Sequence, residues 1–234
     1  VPIANAYESD FEIVIHVQPI VDIWRQKLLG LESTIKGKYQ GNLVNAQPLF
    51  SRAVQSGRVK ELDYEARKQS ILQVVPKLRE EERLFVNIAA QSLESSEDWF
   101  EEDVPYHKIV LEITEQKPIK ATSGLIRKID NLRAKGMKIA IDDYGVGFNN
   151  MLLISRLKPD FIKVNRTIVV EGDIPTLEGI ISYCRKANTL LIAEGVETLQ
   201  QREMLINLGV RYMQGFLFGY PVPSDDYTAG TVTL

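Results

Sequence analysis

The chain has 234 residues, with 28 Lys and Arg against 31 Asp and Glu and a net charge of −3; the length is ample for a buried core, and the charge excludes the basic footprint of a protein that binds bulk nucleic acid. With 44% apolar and 25% charged residues, the composition is that of a globular protein and excludes a disordered one. One cysteine, Cys184, excludes an internal disulfide and a cysteine-cluster metal site, and two histidines, His16 and His107, leave oxygen ligands as the main holders of any metal.

No apolar run reaches the roughly 18 residues that span a bilayer. The start, VPIANAYESD, has neither the basic nor the apolar region of a signal peptide, and it lacks Met. The expectation is one cytoplasmic domain over 1–234, excised from a longer signalling protein and making no membrane contact of its own.

Short β-rich runs recur along the chain at 11–20, 28–36, 84–89, 108–114, 138–143, 161–165, 190–195 and 212–218. Helical patterns fill most of the gaps, at about 47–56, 59–80, 121–135, 149–156, 175–187 and 198–208. Two of them carry explicit boundaries: Thr198 as an N-cap with Gly209 closing, and a segment that ends at Gly136. Strands that alternate with helices build a parallel sheet, and eight strands in this length suit an α/β fold of the (β/α)8, TIM-barrel-like kind. The first two runs are joined only by VDIWRQKL, too short for a crossover helix, so the first strand is expected to run antiparallel to the second.

Side chains alternate faces along a strand. In LFVNIA, Asn87 opposes Leu84, Val86 and Ile88; in IVLEIT, Glu112 opposes Ile109, Leu111 and Ile113. Lys163 opposes Ile162 and Val164, Glu194 opposes Leu191 and Ala193, and Gln214 opposes Met213 and Leu217. On the second run Glu32, Thr34 and Lys36 oppose Leu31, Ser33 and Ile35, and the 138–143 run ends in Asp142-Asp143. In a barrel the apolar faces belong under the helices, and the polar faces converge inside, near the C-terminal ends of the strands. Carboxylates gathered there without partners would each cost several kcal/mol. Glu32, Glu112, Asp142, Asp143 and Asn87 form an all-oxygen set suited to Mg²⁺ or Mn²⁺, with Lys163 close enough to order a nucleophilic water. His16 shares a face with Gln18.

These residues resemble the EAL domain family, the cyclic di-GMP phosphodiesterases. The resemblance runs from about Phe11 to Pro223 and is carried by QPI (18–20), GLES (30–33), VNIA (86–89), LEITE (111–115), IDDYGVGFNN (141–150), IKVN (162–165), AEGVET (193–198) and QGFLFGYP (214–221). It implies a barrel with an antiparallel first strand and hydrolysis of cyclic di-GMP to linear pGpG with one or two Mg²⁺ or Mn²⁺ ions. It further implies that Glu32, Asn87, Glu112 and Asp142 hold the first metal and Asp143 belongs to the second. Lys163 and Glu194 become the catalytic pair, Gln18, Lys36 and Gln214 face the ligand, and Glu197 holds the loop that follows 138–143. A homodimer through the region of that loop is implied as well.

The chain departs from the family at several of these places. The signature reads Glu32-Ser33-Thr34, and Lys36, followed by Gly37, stands where an arginine usually grips phosphate. Lysine keeps the charge and loses the bidentate fork. Val146, Asn149 and Asn150 replace a threonine and two serines, and Asn165 replaces an aspartate, removing an inward charge. The leading expectation is an active phosphodiesterase. The departures keep open a weak or inactive cyclic di-GMP receptor, or a protein-interaction module.

Overall fold

Each β-rich run becomes a strand in the computed structural model, which describes residues 11–39, 41–95, 104–114, 121–145, 151–228 and 232–233. In chain order the strands are β1 (Phe11–Asp22), β2 (Lys27–Tyr39), β3 (Asn42–Asn45), β4 (Arg83–Ala89), β5 (Ile109–Thr114), β6 (Lys138–Tyr144), β7 (Phe161–Val164), β8 (Leu190–Ala193), β9 (Tyr212–Gln214) and β10 (Val222–Pro223). The helices are α1 (Ala46–Gln55), α2 (Val59–Val74), α3 (Ala90–Ser95), α4 (Ser123–Ala134), α5 (Met151–Leu157), α6 (Arg166–Glu171), α7 (Ile174–Ala187) and α8 (Leu199–Asn207).

The sheet runs β1-β9-β8-β7-β6-β5-β4-β2, and β2 pairs back onto β1 to close the barrel. β1 is antiparallel to both its neighbours, β2 and β9, while the other barrel pairs are parallel. The tight Ile23–Gln26 connection accounts for this, with Gln26 at φ 50 in the turn. β3 and β10 add antiparallel edges on β2 and β1.

Thr198 caps α8 with a reciprocal capping box to Gln201, and Thr122 caps α4 by accepting from Leu125 N at 3.1 Å. The 59–80 helix is shorter than its pattern: α2 stops at Val74, and Pro76 sits in a following 3₁₀ turn, Val75–Lys77. Proline removes a donor and restricts the residue before it. The 212–218 strand also stops early, at Gln214. A Cβ on Gly215 would lie 2.0 Å from Val196 O, so only glycine lets the chain turn this closely past its neighbour. β3, β10, α3 and α6 lie in stretches too short to carry a period.

The outward strand faces build the main core. Leu84, Val86 and Ile88 cluster with Ile71 and Val74 of α2, and Ile109, Leu111 and Ile113 with Leu125 and Ile129 of α4. Ile162 and Ala193 cluster with Leu177, Ile180 and Cys184 of α7. The barrel interior is divided by height. Ile20, Phe85, Val110, Ala140, Phe161, Ile192 and Tyr212 form an apolar plug. Phe85 and Phe161 meet edge to face at 5.5 Å, and Phe161 meets Tyr212 at 6.5 Å. Gly30 makes room, since a Cβ there would come within 3.1 Å of the Phe85 ring and 2.1 Å of Arg83 O. Asp22 takes a bidentate pair from Arg211 at 2.9 and 2.5 Å, tying the end of β1 to the start of β9.

Two residues further along each parallel strand, on the same face as the plug, stand Asn87, Glu112, Asp142, Lys163, Glu194 and Gln214. The plug is therefore the floor on which these polar groups rest. Phe85→Ala should leave a cavity in that floor and cost about 3–5 kcal/mol, measured by urea denaturation; a loss below about 1 kcal/mol would mean the plug is loosely packed.

Candidate active site

Lys163 reaches the centre of the barrel from β7 with its side chain only 1% exposed. Its Nζ lies 2.8 Å from Glu194 Oε1, 2.9 Å from Glu112 Oε1, 3.1 Å from Glu32 Oε2 and 3.3 Å from Asp142 Oδ1. The residues picked out on β2, β5 and β7 and after β8 by strand alternation thus meet at one point with Asp142 from the strand-end pair of β6. Asn87 Nδ2 donates to Glu32 Oε1 at 3.4 Å, and Gln214 Nε2 donates to Glu32 Oε2 at 2.6 Å. Gln18 joins this row: it accepts from Gln214 at 3.2 Å and donates to Gly219 O at 3.0 Å.

One ammonium carries three N–H donors and faces four carboxylates. Proton affinities follow the distribution of donors. Burial pushes Glu32 up, but Lys163 and the hydrogen bonds from Gln214 and Asn87 outweigh it, and the group ends below its ordinary value. Glu112 is fully buried, and its Oε2 has no hydrogen-bond partner among the described residues. Burial drives it well above the ordinary carboxylate range against the pull of Lys163, with Glu32 and Asp142 adding repulsion. Asp142 rises by burial, with Glu32 and Asp143 adding repulsion, and Glu194 is pushed up to about 8 by burial, then by Asp142 and Glu32. Lys163 itself is held well above its ordinary value, because the carboxylates overcome its own burial.

Two successive residues of a regular strand face opposite ways, yet Asp142 and Asp143 both serve the site. A register shift between Ile141 and Tyr144 resolves this. Asp143 takes φ 52, in the left-handed region, and Tyr144 returns to the outer core. Asp142, Asp143 and Glu194 then each offer an oxygen within 4.8 Å of the others. Asn165 holds the bent aspartate: its Nδ2 donates to Asp143 Oδ1 at 2.6 Å while its Oδ1 caps α6 by accepting from Thr167 N at 2.8 Å. Sequence reasoning read Asn165 only as a lost charge and missed this positioning role. The signal was there, since two adjacent aspartates at a strand end require a bulge if both are to act.

The donor set fits a divalent cation. It is all oxygen, it is rich in negative charge, and it includes a buried carboxylate oxygen without a donor among the described residues. The fold and this geometry agree with a family match over residues 3–221, to the EAL domain. The chain belongs to the EAL domain family.

This EAL domain is 33% identical over 125 residues to the cyclic di-GMP phosphodiesterase PdeL of Escherichia coli, a stretch covering 51% of the chain and 34% of that protein. It is 27% identical over 232 residues to the probable cyclic di-GMP phosphodiesterase PdeG of the same organism, covering 92% of the chain and 46% of that protein. The chain therefore spans less than half the length of these two relatives. Among solved structures, the Klebsiella pneumoniae BlrP1 calcium/cyclic di-GMP complex aligns with a TM-score of 0.79 at 25% identity, over 91% of this chain and 56% of that one. The PaMucR phosphodiesterase complex with cyclic di-GMP aligns at 0.78 and 24% identity, over 91% and 93%.

The altered signature has a local explanation. Ser33 points outward and shares a hydrogen bond with Ser70 of α2 at 2.5 Å, so its hydroxyl is satisfied beneath the helix. Thr34 is exposed and pairs in register with His16, which is buried on the inner face of β1. Lys36 is half-buried on the Glu32 face, and its charge helps burial lower the pKa of His16. Glu197 pairs with Arg166 at 3.1 Å. The loop it was expected to hold, with Val146, Asn149 and Asn150, lies outside the described residues.

The raised Glu194 gives a pH signature. A carboxyl whose folded pKa is about 8 against an ordinary 4.5 keeps a proton that the unfolded chain releases. Its support for the fold is present below the unfolded value and is lost as pH rises through the folded one. In metal-free protein, the melting temperature of the wild type should therefore fall relative to Glu194→Gln between about pH 5 and pH 8.5. A gap between the two melting curves that is independent of pH would contradict the assignment.

Proposed function

We propose that this chain is the catalytic domain of a cyclic di-GMP phosphodiesterase that hydrolyses its substrate to linear pGpG with Mg²⁺ or Mn²⁺. The observation that carries the reading is the convergence of Glu32, Glu112, Asp142 and Glu194 on Lys163 at the C-terminal end of the barrel. The named activity of the relatives PdeL and PdeG and the ligands of the BlrP1 complex support the substrate and the need for a cation. In this reading Glu32, Asn87, Glu112 and Asp142 hold the first ion, and Asp143 contributes to a second. A bound divalent cation supplies a Lewis acid for the phosphoryl oxygen and lowers the pKa of water.

The chain's own groups do the rest. Lys163 Nζ orients the attacking water and offsets charge that develops on the phosphoryl group. Glu194, at 2.8 Å, fixes the direction of that ammonium. Gln18 and Gln214 line the substrate side, and Gln214 Oε1, buried without a partner among the described residues, can accept from the ligand. Lys36 meets a ligand phosphate as a point charge. The reading extends to a cytoplasmic domain that pairs with a second copy near the loop after β6.

The Asn165 amide on Asp143 favours a second reading, in which the domain binds cyclic di-GMP and turns it over weakly. Incubation with cyclic di-GMP and Mg²⁺ or Mn²⁺, followed by chromatography, separates the two. The enzyme yields pGpG, and Glu32→Ala should lower that rate at least about a hundredfold by removing a cation ligand. Bound nucleotide without product would select the receptor, and near wild-type turnover by Glu32→Ala would show the site to be misassigned.

A further inference from the structure

Lys163 is the only cation among the described residues that touches the four converging carboxylates, and all four distances fall between 2.8 and 3.3 Å. The oxygens that would hold a divalent ion in the reading above are those that now surround an ammonium. Glu112 makes the point most sharply. It is completely buried, its Oε1 faces Lys163 Nζ at 2.9 Å, and its Oε2 has no donor among the described residues. Two cations in contact with one shared set of largely buried oxygens above an apolar floor repel each other with less screening than in water.

We propose that Lys163 is the resident cation of the metal-free site, and that a divalent ion enters by displacing its ammonium from Glu32, Glu112 and Asp142. The inference rests on the metal-dependent reading and adds a competition to it. Lysine suits this role because its charge rides on a flexible four-carbon stem and can withdraw while staying ionised. Its contacts with all four acids give them a shared positive partner before metal arrives, so the folded domain can wait in a form that exchanges one cation for another. The position also explains why a lysine is tolerated where charge burial is costly: without it, four carboxylates would face one another, with Gln214 and Asn87 donating only to Glu32.

The test is Mg²⁺ binding by calorimetry at pH 9, chosen to favour ionised carboxylates, with melting curves of the same proteins. Lys163→Met should bind Mg²⁺ at least tenfold more tightly than wild type. Its metal-free form should melt lower, and Mg²⁺ should raise its melting temperature by more. Lys163→Arg keeps a charge that is bulkier and less able to withdraw, and should bind Mg²⁺ more weakly than wild type. A folded Lys163→Met with equal or weaker affinity would overturn the displacement and leave the phosphodiesterase reading standing. If that variant folds only with metal present, the Arg variant decides: tighter binding than wild type overturns the proposal. Absence of Mg²⁺ binding by wild type and variants alike would overturn the metal reading and this inference together.

Discussion

A single ammonium enclosed by four carboxylates governs the architecture of this domain. Burying one unpaired carboxylate costs several kcal/mol, and burying several together is worse because each raises the proton affinity of the next. Lys163 offsets this for all four at once, which requires that its strand, β7, stand between the strands carrying the acids. β6 and β8 flank it directly and bring Asp142 and Glu194; β5 and β2 reach across the barrel with Glu112 and Glu32. Only a closed barrel lets residues from five strands meet at one atom. Closure in turn depends on the antiparallel β1, which joins β2 to β9.

The apolar plug gives the cluster its physical character. Phe85, Phe161 and Tyr212 fill the interior directly beneath it and keep water from approaching from below. Charges there interact in a medium of low polarisability and open toward the mouth. The consequence is a spread of proton affinities among chemically similar groups. Glu32, which Gln214 and Asn87 also serve, is driven down, while Glu112 and Glu194, served by Lys163, are driven up. A site with this much unmet negative charge is suited to a divalent cation, and the bulge at Asp143 adds one further oxygen at its rim.

Much of this was legible in the sequence because the strand period is two and the side chains that matter are polar. Alternation alone placed Asn87, Glu112, Lys163, Glu194 and Gln214 on inner faces, and the brief 1–2 connection gave the direction of β1. The same alternation holds Phe85, Val110 and Phe161 on those faces, yet an apolar residue among apolar neighbours does not announce which side it fills, so the plug was not read. The bend at Asp143 was missed because it breaks the period on which the reading relied. Asn165 was judged as a missing charge, and its hydrogen bond to Asp143 follows only from the bulge. The short elements β3, β10, α3 and α6 are fixed by tertiary packing, with too few residues for a pattern. Periodicity pointed to a cation site, and resemblance to the family supplied the substrate and the reaction.

Everything above turns on these carboxylates forming a divalent-cation site. The most direct measurement is anomalous diffraction from crystals soaked in Mn²⁺. A strong Mn²⁺ peak should stand inside the barrel, ligated by Glu32, Asn87, Glu112 and Asp142. Crystals with Mn²⁺ bound elsewhere and this cluster left to Lys163 alone would contradict it.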